Sequence, residues 1–80
     1  MGKLFEIGNV LVRVYANDNL PPHFHIVGPD HDALVEIETL AVIRGQIVGA
    51  SMKEALNWAR ENRTAVAAEW NRINSRFPIA

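Results

Sequence analysis

Eighty residues, 49% hydrophobic and 21% charged, allow one modest core, because a chain this short buries only about two-thirds of the surface its unfolded form exposes. With no cysteine at all, disulfides, thiolate metal sites and cysteine nucleophiles are excluded, and a reducing cytoplasm is the expected compartment. The formal net charge of −1 hides an asymmetry: between Arg13 and Arg44 there is no Lys or Arg, while Asp18, Asp30, Asp32, Glu36, Glu38 and every histidine fall there, and from Arg44 onward the balance turns basic. Glu6 interrupts the apolar run a signal peptide would need, and no later stretch approaches the roughly eighteen apolar residues that span a bilayer, so no membrane insertion is expected. One domain over 1–80 is expected, with strands within roughly 3–48 and helix within roughly 51–76.

In chain order, Lys3 to Ile7 reads as a short strand, Gly8-Asn9 as a two-residue hairpin turn, and Val10 to Tyr15 as a β-branched second strand. Asn17-Asp18-Asn19 with Pro21-Pro22 cannot be helical, since proline donates no backbone hydrogen bond and disfavours the α region before it. His23 to Val27 resumes extended structure. Gly28 to Asp32 is a second turn cluster, Ala33 to Glu38 alternates as a half-buried strand, and Leu40 to Arg44 forms a further one.

Ser51 followed by Glu54 matches a capping box, which starts the helix at Ser51. At about 100° per residue, Ala55, Ala59, Val66, Trp70, Ile73 and Phe77 fall within a sector of about 60°, one apolar stripe that must cover the sheet. Asn62 can interrupt it with a kink or a new cap, and Pro78 ends it. Trp58 lies about 90° from the stripe centre, so it is half-exposed or marks a bend. The expected fold is α+β: an antiparallel sheet of four or five strands covered on one face by a C-terminal helix or kinked helix pair.

Strand alternation then sorts the faces. If Val12, Val14, Phe24, Ile26, Val35 and Ile37 face the helix, the other face carries Leu11, Arg13, Tyr15, His23, His25, Leu34, Glu36 and Glu38, provided these strands are neighbours. His23 and His25 would stand roughly 6 to 7 Å apart on the same side. Two chemistries can use them. With Glu36, or with Asp30, His31 or Asp32, they can ligate a divalent transition metal such as zinc, nickel, manganese or iron, as a metal-dependent hydrolase would require. As general acid and base near neutral pH, with Tyr15 as auxiliary donor and Arg13 or Arg44 on a phosphate, they suit phosphodiester cleavage, although the surrounding acids repel a polynucleotide. The plainest reading makes both histidines exposed strand residues and Phe24 the one that matters, as core. Ser51 reads as a cap and not a nucleophile. An exposed Trp58 with Arg60 and Arg63 would form a partner surface, or the basic helix of a non-enzymatic nucleic-acid-binding regulator, though Arg60, Arg63, Arg72 and Arg76 spread around the helix.

Pro21-Pro22-His23-Phe24-His25-Ile26-Val27-Gly28, with Glu38-Thr39, Gly45, Trp58, Asn62 and Trp70, resembles the small bacterial proteins catalogued as domain of unknown function 4160. The resemblance covers almost the whole chain, and the Pro-Pro-His-Phe-His pentapeptide is its specific part. One departure is Leu40, where glycine commonly follows the threonine, so a differently built turn is expected there. The resemblance implies a small protein partner encoded nearby, an arrangement like a toxin-antitoxin pair, and it raises the weight of an activity on nucleic acid.

Overall fold

The computed structural model describes residues 3–15 and 21–75. Five strands run as a meander, β1 (Lys3–Ile7), β2 (Val10–Arg13), β3 (His23–Val27), β4 (Asp32–Glu36) and β5 (Val42–Gly45), followed by α1 (Gly49–Glu61) and α2 (Arg63–Ile73). Every neighbouring pair is antiparallel, in the order β1-β2-β3-β4-β5. The α+β expectation holds, with five strands and a broken helix. Among the described residues no helix is long and apolar enough to cross a membrane.

The first hairpin closes as its turn residues dictate. Ile7 pairs with Val10, and Gly8 at φ 57 takes the left-handed conformation that a two-residue turn needs at its first central position. Val12, Val14, Phe24, Ile26, Ala33, Val35 and Ile37 are buried on one face, where Met52, Ala55, Ala59, Val66 and Trp70 meet them. This is the apolar stripe anticipated from the helical period, and the largest side chain in it, Trp70, is fully buried. Phe77 and Pro78 lie outside the described residues, as does the Asn17 to Asn19 part of the loop before β3.

Several boundaries move for identifiable reasons. Strand β2 ends at Arg13, and β4 at Glu36, because residues 37–39 form a turn. That turn is closed by Leu40 N–H donating to the Glu36 carbonyl at 2.8 Å, and Glu36 N–H in turn donates to the Ala41 carbonyl at 2.9 Å. Leu40 adopts φ 62, the left-handed region that glycine enters freely and that costs a side-chain-bearing residue about 1–2 kcal/mol. The turn therefore keeps a glycine-type backbone around a leucine whose half-buried side chain packs on the core. Ser51 is not the cap. Gly49, at φ 84, turns the chain into α1 two residues earlier, Val48 is the N-cap without any side-chain hydrogen bond, and Glu54 is exposed. Asn62 separates the helices: its side-chain amide and its backbone N–H both donate to the Trp58 carbonyl, each at 2.9 Å, and its own carbonyl accepts from Val66 N–H at 3.1 Å.

Three stability outcomes follow from this packing. A Cβ at Gly45, which stands at φ 81, would collide with the backbone oxygen of Asp32, so Gly45→Ala should lower the unfolding free energy by more than about 2 kcal/mol in denaturant titration. Trp70→Ala empties the centre of the helix–sheet interface and should cost about 3 to 5 kcal/mol by the same measurement, enough to unfold much of so small a domain. On α2, the hydrogen bonds from Arg72 hold the Glu69 carboxyl below the ordinary carboxylate range. That contribution is present above the unfolded-state value and disappears as pH falls through the lower folded-state value. Glu69→Gln should therefore reduce stability at neutral pH and leave it unchanged at acid pH.

Candidate functional site

The strands bearing Leu11, Arg13, His23, His25, Leu34 and Glu36 are neighbours, as alternation required, whereas Tyr15 lies just beyond β2 and Glu38 falls in the 37–39 turn. Arg13 on β2 pairs with His25 on β3, His25 with Leu34 on β4, and His23 with Glu36. Leu34 pairs in turn with Arg44 on β5, and Arg13 with Lys3 on β1. One line of register partners across the sheet thus reads Lys3, Arg13, His25, Leu34, Arg44. This basic row could not be read from the sequence, because its members are scattered along the chain and only the register aligns them.

The entry to β3 uses both prolines through their carbonyls, the one backbone polar group that proline retains. The Pro22 carbonyl accepts from Ile37 N–H at 3.1 Å, extending the β3–β4 pairing, and the Pro21 carbonyl oxygen lies 2.9 Å from His23 Nδ1. A carbonyl can only accept, so the neutral His23 ring carries its proton on Nδ1 and is held in that tautomer. The ring is buried, at 6% exposure, with its centroid 5.6 Å from that of Trp70 and 5.1 Å from that of His25. His23 is therefore not the exposed strand residue of the plainest reading. Phe24, fully buried, is core as expected.

His25 is half-buried and meets Tyr15 edge-on, with centroids 4.5 Å apart and planes at 82°. Tyr15, His25, His23 and Trp70 form a chain of ring contacts leading from the sheet surface into the core. Asn74, which the sequence reading missed, anchors one end of it: this buried residue donates from Nδ2 to the Tyr15 carbonyl at 3.0 Å. Its only signal was a polar residue four positions beyond Trp70, on the buried side of α2.

The remaining expected donors do not converge. Glu36 is the register partner of His23, yet its carboxylate accepts from Thr39 Oγ1 at 2.7 Å and braces the 37–39 turn. Asp32 pairs with Val27 at the other end of β3. Asp30 and His31 belong to the turn beyond it, where they line a cleft of ≈ 500 Å³ with Gly8, Gly28 and Ser51. Among the described residues, no three His, Cys, Asp or Glu side chains come together to hold a metal ion. On the helices, Trp58 is half-buried and stacks on Phe5, with centroids 4.8 Å apart and planes at 15°. Arg60 and Arg63 are exposed nearby, and Arg60 donates to Asn57 Oδ1 at 2.6 Å.

Chemically, the outer face offers an imidazole able to exchange a proton, a phenol able to donate, and guanidinium groups able to grip a phosphate through paired N–H bonds. No curated protein and no solved structure matches the chain. A family model does, over residues 9–71, a span that includes Pro21, Pro22, His23, His25, Gly45 and both tryptophans. The chain belongs to the family described as a domain of unknown function, DUF4160.

Proposed function

We propose that this is a small bacterial protein that works with a protein partner, as one member of a toxin-antitoxin type pair, and that it acts on nucleic acid through the outer face of its sheet. The supporting observation is the placement of His25: across from Arg13, edge-on to Tyr15 and beside His23, on the face the helices leave open. A proton-exchanging ring beside a phosphate-gripping arginine is what general acid–base work on a phosphodiester requires. The partner is a small protein encoded nearby, and covering this face would silence the site. The metal-dependent hydrolase reading lacks a third donor among the described residues. The regulator reading, through Arg60 and Arg63, has exposed charges but no matching line of them.

Expression of the chain alone should arrest growth, and co-expression of the neighbouring small protein should relieve that arrest. His25→Ala is the informative variant, since His25 is less buried than His23 and its loss spares the core. It should abolish the arrest and reduce cleavage of nucleic acid by the purified protein by roughly 10²-fold or more. Absence of arrest, or arrest that survives His25→Ala, would sink the proposal.

A further inference from the structure

The basic row has a shape that selects among nucleic acids. Strands lie about 4.8 Å apart, so the three spacings from Arg13 on β2 to Arg44 on β5 put these residues about 14 Å apart, on a line perpendicular to the strands. Between them stand His25 and Leu34, a ring and an apolar side chain, both half-buried. Lys3 extends the line to the β1 edge, where it also pairs with Glu6 at 3.1 Å. The acids of this face flank the row and do not interrupt it: Glu36 lies beside His23 with its carboxylate engaged by Thr39, while Glu6, beside Leu11, and Asp32, beside Val27, stand on a separate line of register partners. The local repulsion implied by an acidic middle segment is thereby displaced from the line itself.

We infer that this row is a binding track for single-stranded nucleic acid, which crosses the sheet with its phosphates on Arg13 and Arg44 and its bases against Tyr15, His25 and Leu34. A shallow sheet surface with cations in line and flat groups between them matches a strand whose bases are splayed and free to stack. A duplex keeps its bases inward and offers that surface only phosphates. The assignment rests on the proposed action at this face but concerns binding alone, so the two are separable by experiment.

The test is fluorescence anisotropy of the purified chain with a labelled RNA about a dozen nucleotides long, single-stranded and then annealed to its complement, across a salt series. The single strand should bind in preference to the duplex, and affinity should fall with salt. Arg44→Ala removes an exposed edge residue, so the fold should survive, as circular dichroism will verify. It should weaken binding about fivefold to tenfold and lower the salt slope by about 0.7, the value of one phosphate contact on a single strand. Arg13→Ala should do the same, and Lys53→Ala on the exposed side of α1 should leave binding unchanged. Equal or tighter binding of the duplex overturns the inference. So does a loss caused by Arg60→Ala and Arg63→Ala with Arg44→Ala silent, or equal Arg44-dependent binding of an acidic peptide, or no salt-sensitive binding. If growth arrest is absent while Arg44-dependent single-strand binding persists, the toxin reading fails and the track stands.

Discussion

Trp70 carries two loads at once. Its ring fills the interface between α2 and the sheet, where burying so large an apolar surface supplies a substantial part of what a small core can offer. The same ring approaches His23, which is held from its other side by the Pro21 carbonyl. Helix docking and the orientation of the histidine surface are therefore one event. The aromatic and imidazole contacts that run outward to Tyr15 transmit the position of α2 to the face that meets solvent, and Asn74 fastens the end of α2 to the backbone at Tyr15. Removing Trp70 would leave His23 without its backing and α2 without its anchor.

Much of this was legible in the sequence because local rules and tertiary structure agree there. Gly8-Asn9 between apolar runs specifies a tight hairpin. The alternation of Val12, Val14, Phe24, Ile26 and Val35 sorts two faces, and the helical period collects Ala55, Ala59, Val66 and Trp70. What alternation cannot say is what lies beyond the end of a strand. His23 was wrongly left exposed, because its cover comes from a tryptophan on α2. Ser51 was misplaced for a similar reason. A capping pattern is a local signal, whereas the start of α1 is set by Gly49, which lets the chain turn out of the β5 connection before the serine is reached.

Leu40 is the sharpest conflict between local preference and final structure. A leucine in the left-handed region is disfavoured, and it persists because the Glu36 and Thr39 bonds define the turn and its side chain packs on the core. The same turn engages the carboxylate that the register places opposite His23, while Asp30, His31 and Asp32 lie at the other end of β3, so the expected donors do not gather at one point. Register brings groups onto a line; the turns decide which of them remain available on it.

The sheet is built wholly from consecutive hairpins, so most of its pairing is local and can form as the chain is made. The hydrogen bond from Asn74 to Tyr15 joins residues 59 positions apart and comes from the C-terminal end of α2, made after all five strands. During synthesis the strands can assemble while Tyr15 and His23 still lack the partners that α2 brings. The face carrying Tyr15 and His23 is thus completed only after α2 has emerged, so the sheet can be paired well before its outer surface takes its final shape.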